Sequence, residues 1–127
     1  MTPNFHRIVD IGYSLLDRDI TGGRTFHLSA ILNKSRVISI GINNYLKSHP
    51  RNKEFGYAPH ARLHAEMAAC LRLGFTDCSG LSIVNLRIDR NGNLCNSKFC
   101  LGCSNLIKFL NFKDAYYSTE SGFESYY

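Results

Sequence analysis

Two runs of strand-forming residues, separated by only three positions, place the strongest constraint on the fold of this chain. Residues 27–32 and 36–42 favour extended structure, and the polar residues 33–35 between them provide a turn. The two runs therefore predict a β-hairpin. Before them, apolar side chains recur at helical spacing over residues 5–16 and predict a first helix.

The rest of the chain alternates between helical and extended patterns. Its predicted elements are a loop over 43–59, a helix over 62–73 closed by Gly74, a strand over 81–89, a tight turn at Asn91-Gly92, a short return or loop over 93–98, a helix over 100–112, a strand over 114–119 and, if it forms, a last strand over 123–127. Only residues 120–122 separate the last two strands, which would therefore form a hairpin. The order α-β-β-α-β-α-β predicts a mixed sheet with helices on its faces.

Composition is typical of a single globular domain. The 127 residues suffice for one core, and 44% are hydrophobic against 20% charged. No apolar run reaches the roughly 18 residues of a membrane span, and residues 1–10 lack a signal-peptide core, which predicts a cytoplasmic protein with no membrane partner. The net charge of +5 favours anionic partners.

Two short motifs carry the ligands of a candidate metal site. Cys100 and Cys103 form a C-x-x-C pair, and His64 offers an imidazole at the start of another predicted helix. The odd total of five cysteines speaks against a disulfide framework. Together the three side chains predict a zinc ion, Zn²⁺, with an open fourth position. The cysteine pair alone would equally fit a structural half-site or a redox pair.

Glu66 lies two positions after His64, so the two side chains cannot pair with each other along a helix. Zinc held by three protein ligands lowers the pKa of its water toward about 7, and a nearby carboxylate can move the proton. Glu66 is therefore predicted as the catalytic residue, beside the metal and not on it. An H-x-E motif followed by C-x-x-C is the known signature of zinc deaminases.

On these motifs the chain resembles the cytidine deaminase-like superfamily, specifically its His-Ala-Glu branch, which includes deoxycytidylate deaminases and tRNA adenosine deaminases. Gly41-Ile42-Asn43 is similar to the family's G-x-N, and residues 97–100 stand where it usually has S-x-P-C, with Phe99 in place of the proline. The loop "NNYLKSHP" resembles that of small phage and bacterial members. The resemblance implies a three-layer α-β-α fold with a mixed central sheet, abbreviated at the C-terminus, and a zinc cofactor.

Four residues are predicted to contact the substrate: Asn43, whose family counterpart typically contacts the sugar, and Ala65, His49 and Tyr117. For Asn43, a simple turn role is the alternative. Other basic and aromatic residues of the loop could hold phosphate and base, or could simply be solvated. They are Lys47, Arg51, Lys53, Phe55 and Tyr57.

The sequence is compatible with three functions. The first is zinc-dependent hydrolytic deamination of cytosine in a nucleotide or nucleoside, with a deoxycytidylate-like substrate. The second is editing of cytosine or adenine in single-stranded DNA or RNA, and the third is a catalytically inactive zinc-binding module. We also predict a homo-oligomer, because an open sheet edge at the short C-terminus would be a liability in a monomer.

Overall fold

The structure, a computed structural model, describes residues 3–18, 25–43, 49–57 and 63–127. These ranges contain three α-helices, six β-strands and one 3-10 helix. In chain order they are α1 (Phe5–Arg18), β1 (Phe26–Asn33), β2 (Arg36–Ile42), the 3-10 helix (Pro50–Phe55), α2 (Ala65–Arg72), β3 (Ser82–Ile88), β4 (Leu94–Cys95), α3 (Leu101–Phe109), β5 (Asp114–Thr119) and β6 (Gly122–Ser125). The predicted order of elements is confirmed.

One mixed sheet joins the described strands in the order β2-β1-β3-β5-β6, with β4 paired to β3. The predicted first hairpin is present as the antiparallel pair β1 and β2. The last two strands also form a hairpin, in which Thr119 pairs with Gly122. β3 and β5 run parallel, and the intervening chain crosses over through α3.

Alternation along the strands divides the core into two layers, one on each face of the sheet. On β1, Leu28, Ala30 and Leu32 lie in the same cluster as Ile8 of α1. Ile31, on the other face of that strand, belongs to the cluster that contains residues of α2 and α3. The predicted three-layer α-β-α fold is therefore confirmed. No helix in the described ranges has the length and apolar character needed to cross a membrane.

The helices on the second face are shorter than their sequence patterns predict. α2 begins at Ala65, and not at residue 62, because His64 has extended backbone angles of −77° and 154° and serves as the N-cap. Residue 62 itself lies outside the described residues. α3 ends at Phe109, and not at residue 112, because Asn111 adopts a positive φ of 63°. The amide of Phe112 then bonds the carbonyl of Ile107, which closes the helix as a Schellman motif.

The predicted loop over 43–59 contains the 3-10 helix, which is too short to produce a periodic pattern. Residues 44–48 and 58–59 of that loop lie outside the described residues. Gly74, predicted to close the second helix, has a φ of 97° immediately after the C-cap residue Leu73. That left-handed position is one glycine adopts without strain.

Candidate metal centre

The three predicted ligands come from the first residues of two neighbouring helices. His64 is the N-cap of α2, Cys100 is the N-cap of α3, and Cys103 lies in the first turn of α3. Nδ1 of His64 is 3.7 Å from Sγ of Cys100 and 3.6 Å from Sγ of Cys103. All three donor atoms lie within 4.8 Å of one another, so this group could hold a metal ion.

Zinc fits the spacing of these donors. Tetrahedral zinc, with bonds of about 2.3 Å to sulfur and about 2.05 Å to nitrogen, keeps nitrogen and sulfur donors about 3.6 Å apart. The two measured nitrogen-to-sulfur distances, 3.6 and 3.7 Å, match that value. One imidazole and two thiols also leave a fourth tetrahedral position for another ligand. This donor set would suit a zinc ion with one open position.

The electrostatics of the two thiols differ. Hydrogen bonds with Cys103 and with His64 together lower the pKa of Cys100 from 9.0 to about 4, although partial burial opposes the shift. Burial instead raises the pKa of Cys103, which is completely enclosed. Cys100 therefore ionises first and is a thiolate at neutral pH, the form in which cysteine binds metals.

A cavity of about 300 Å³ opens beside these residues. Charged, polar and apolar groups all contribute to its wall. The described lining residues are His27, Asn43, Leu63, His64, Ala65, Glu66, Asn85, Ser97, Lys98 and Cys100. The cavity wall therefore includes two of the three predicted ligands, His64 and Cys100, and the predicted catalytic residue Glu66.

Glu66 is almost fully buried, with 5% of its surface exposed, although it lies on the cavity wall. The side-chain amide of Asn85 donates a hydrogen bond of 2.8 Å to Oε2 of Glu66. That amide also donates to the carbonyl oxygen of Ser97, and its own oxygen accepts from the hydroxyl of Ser29. The carboxylate is thus held from the sheet side while it remains open to the cavity.

The sequence matches no family model and no curated protein. Among solved structures, the crystal structure of a cytidine deaminase from Mycobacterium leprae is similar, with a TM-score of 0.59. The match covers 96% of this chain and 92% of that chain at 15% sequence identity. This chain has a cytidine deaminase-like fold. At that identity the similarity concerns the arrangement of helices and strands alone.

Two of the four predicted substrate residues line the cavity of the cytidine deaminase-like fold. Asn43 accepts a hydrogen bond of 3.0 Å from the backbone N–H of His27 near the start of β1, and Ala65 begins α2. His49 is not among the described lining residues, and its ring nitrogen accepts the N–H of Arg51. Tyr117 is also absent from the wall, and its hydroxyl donates to Glu124. Substrate contact by these four residues stays a prediction.

The aromatic residues of the predicted loop over 43–59 pack against other side chains of the protein. Phe55 is buried against Phe75 and Phe109 in the core. The ring of Tyr57 meets His64 edge-on, with 4.8 Å between ring centroids. Arg51 lies over the ring of Phe75 and forms a salt bridge with Glu54, so it is engaged within the loop. Lys47 lies outside the described residues, as does the side chain of Lys53.

Phe99 stands where the sequence resemblance predicts a proline, immediately before Cys100. Its side chain is 6% exposed and packs edge-on against Tyr126 at 5.2 Å and against Tyr117 at 6.4 Å. In this chain the segment before Cys100 is therefore anchored by aromatic packing, where a proline would restrict the backbone through its ring.

Several polar residues of the cavity region were missed from the sequence, among them His27, Ser29, Asn85 and Lys98. Ser29 and Asn85 interrupt otherwise apolar strands, and buried polar groups in such strands need hydrogen-bond partners. That interruption was the available signal. Ser29 and Asn85 bond each other because β1 pairs with β3. The residues close to each of them in sequence do not predict that pairing.

Proposed function

We propose that the protein is a zinc-dependent hydrolytic deaminase that converts cytosine to uracil in a nucleotide or nucleoside. One observation carries the proposal: the buried carboxylate of Glu66 opens into the same cavity as His64 and Cys100. A carboxylate placed beside a metal group, and not within it, is suited to move protons there. The cytidine deaminase-like fold and the zinc-like spacing of the donors support the same reaction.

His64, Cys100 and Cys103 would hold the metal. Zinc bound there would lower the pKa of a water molecule toward about 7 and so supply a nucleophile at neutral pH. The carboxylate of Glu66 would take up a proton from the attacking water and pass protons to the substrate. One water proton ends on the ring nitrogen and the other on the departing amine, the C–N bond breaks, a C–O bond forms, and ammonia leaves.

The size and lining of the cavity favour a single pyrimidine nucleotide or nucleoside. A volume of about 300 Å³ lies at the lower end of the range for small-ligand pockets. Ala65 opens α2, so its N–H has no acceptor within the helix and is available to a carbonyl of the base. Asn43 on the wall provides an amide for the sugar.

Lys98 supports a phosphorylated, deoxycytidylate-like substrate. Lys98 lines the cavity and is exposed, and no described residue forms a salt bridge with it. Glu66 provides a carboxylate elsewhere on the same wall. A nucleotide matches this combination, because Glu66 serves the amine being removed and the lysine can hold a phosphate.

The test is ammonia release by zinc-loaded protein from a panel of deoxycytidine monophosphate, deoxycytidine, cytidine, single-stranded DNA and RNA. We expect turnover of deoxycytidine monophosphate above all others. Glu66→Gln is the matched control, since it keeps the shape of the side chain but cannot accept the proton. It should retain zinc, measured by atomic absorption, and lose about 10²- to 10⁴-fold in kcat.

The panel also separates the alternatives. Turnover of the oligonucleotides without turnover of free nucleotides would replace the proposal with nucleic-acid editing. Stoichiometric zinc without ammonia release from any substrate would favour a catalytically inactive zinc-binding module. Full activity of Glu66→Gln would reject the role of the carboxylate.

We further propose that the protein works in the cytoplasm as a homo-oligomer. A reducing compartment keeps a C-x-x-C pair available for a metal. β2 and β6 are the two edges of the described sheet, and the large side chains of Leu101 and Phe109 on α3 are 72% and 61% exposed. Sedimentation at micromolar concentration should show a species heavier than one chain, and a monomer alone would reject the assembly.

A further inference from the structure

Asn85 is a polar residue at the centre of the buried strand β3. Only 3% of its surface is exposed, and its amide uses every hydrogen that it can donate. One N–H bonds Oε2 of Glu66 at 2.8 Å and the other bonds the carbonyl oxygen of Ser97 at 3.1 Å. The side chain is therefore fixed at three points, the third being Ser29.

Ser29 holds the oxygen end of the Asn85 amide, and the acceptors at its other end fix which way the amide faces. It lies directly opposite Asn85 in the pairing of β1 with β3, is fully buried, and donates its hydroxyl hydrogen to Oδ1 of Asn85. If the amide were reversed, Oδ1 would face the carboxylate of Glu66 and the carbonyl of Ser97. Three acceptors would then meet without a hydrogen between them, which is costly in a buried site.

The consequence for Glu66 is an asymmetric carboxylate. Oε2 is occupied by Asn85, whereas no described residue forms a hydrogen bond with Oε1. Because Glu66 lines the cavity, Oε1 is the oxygen left to exchange protons there. A displacement of a reacting group by about 1 Å can lower a rate by about 10²-fold, so the support of this side chain matters for catalysis.

We propose that Asn85 is a positioning residue that holds the Glu66 carboxylate for proton transfer, and that Ser29 anchors Asn85 in this position. The proposal rests on the deaminase function proposed above. It assigns no contact between Asn85 and the metal, because Asn85 has no hydrogen bond to any of the three predicted ligands.

The kinetic test compares Asn85→Ala in the native chain and in a Glu66→Ala chain. In the native chain we expect kcat to fall by about 10²-fold with little change in KM. In the Glu66→Ala chain the same substitution should cost no further activity, because the group that it positions is gone. Equal losses in both chains, or a rise in KM alone, would overturn the proposal.

Two serine variants provide a matched pair. Ser29→Ala should lower kcat in the same direction as Asn85→Ala, but less. Ser39 is also a buried serine on a strand beside α2, and its hydroxyl donates to the carbonyl of Ala69 at 2.8 Å. Ser39→Ala should therefore lower thermal stability to a similar degree and leave kcat unchanged. If both variants keep full kcat, Ser29 does not anchor Asn85 for catalysis.

A second measurement does not depend on activity. Thermal unfolding midpoints of Glu66→Ala, Asn85→Ala and the double variant should be non-additive, because the two side chains share one hydrogen bond. Zinc content should stay at the native level in each variant. If the native protein released no ammonia, the proposed function would fail while this cycle still tested the contact. Additive changes in the unfolding midpoint would refute the positioning role. If Asn85→Ala does not fold, Asn85→Leu takes its place in the same experiment.

Discussion

The hydroxyl of Tyr57 lies 2.6 Å from Sγ of Cys103. Burial raises the pKa of the Tyr57 phenol, so the hydroxyl stays protonated and can donate to the sulfur. The same ring meets the imidazole of His64 edge-on, and it lies so close to α3 that a Cβ at Gly102 would be 2.7 Å from it. Tyr57 therefore contacts two of the three predicted ligands, Cys103 and His64, and supports both.

Tyr57→Phe is expected to weaken zinc binding by about 10- to 100-fold, because it removes a hydrogen bond to a ligand atom and keeps the ring. The measurement is competition for zinc against a chromophoric chelator. Tyr13→Phe is the control, since that hydroxyl bonds the carbonyl of Gly92. Equal zinc affinity of Tyr57→Phe and the native protein would show that the contact with Cys103 does not support the site.

The order of elements was predictable because each depends on nearby residues. The runs that became β1 and β2 are joined by a short turn, so their pairing required no distant information. Helix ends were less predictable. Histidine and cysteine are not typical N-cap residues, so the sequence did not show that α2 and α3 begin directly after His64 and Cys100. Both residues have extended backbone angles, which make them the N-caps.

Some residues of the candidate site could likewise be predicted from the sequence, and others could not. Cys100 and Cys103 are recognisable because their spacing is that of one helical turn. The support of Glu66 was not recognisable, because Ser29 and Asn85 are 56 positions apart in sequence and meet only through the pairing of β1 with β3. Tyr57 likewise reaches Cys103 across 46 positions.

Gly41→Ala is expected to destabilise the fold by about 1–3 kcal/mol or more. Gly41 lies on β2 directly beneath α2, and an added Cβ would collide with backbone atoms of Ala65 and Ala69. Backbone cannot move aside as a side-chain tip can, so α2 would have to lift from the sheet and carry Glu66 with it. Chemical denaturation measures the loss.

Gly12→Ala is the control for that substitution. There the added Cβ would meet the tip of the Leu86 side chain, and alanine also favours the helix by about 1 kcal/mol. Its free energy of unfolding should stay close to that of the native protein. Equal losses for the two variants would mean that contact with the α2 backbone is not the reason for glycine at position 41.

Lys98→Met is expected to raise KM for deoxycytidine monophosphate by about tenfold and to leave KM for deoxycytidine unchanged. A charge-assisted hydrogen bond to phosphate contributes enough free energy for that difference. Steady-state kinetics with both substrates measure it, and Lys113→Met, at an exposed lysine that does not line the cavity, is the control. Parallel changes for the two substrates would assign Lys98 a role other than phosphate contact.

His27 makes the stability of the fold depend on pH. It lies on the cavity wall, and burial lowers its pKa from 6.5 to about 4, with a further contribution from the charge of Arg87. Below pH 6.5 the unfolded chain takes up a proton at this position, whereas the folded chain does so only near pH 4. The contribution of neutral His27 to the stability of the fold is therefore fully present above pH 6.5 and is lost as the pH falls toward 4.

Between about pH 7 and about pH 5 this single group should lower the free energy of unfolding by about 2 kcal/mol. In His27→Gln, which cannot titrate, the thermal midpoint should fall by several degrees less over that interval than in the native protein. Carboxylates contribute equally to both proteins and cancel in the comparison. His6→Gln, at an exposed position of α1, should follow the native curve. Parallel curves for His27→Gln and the native protein would show that His27 is not the residue that couples folding to pH.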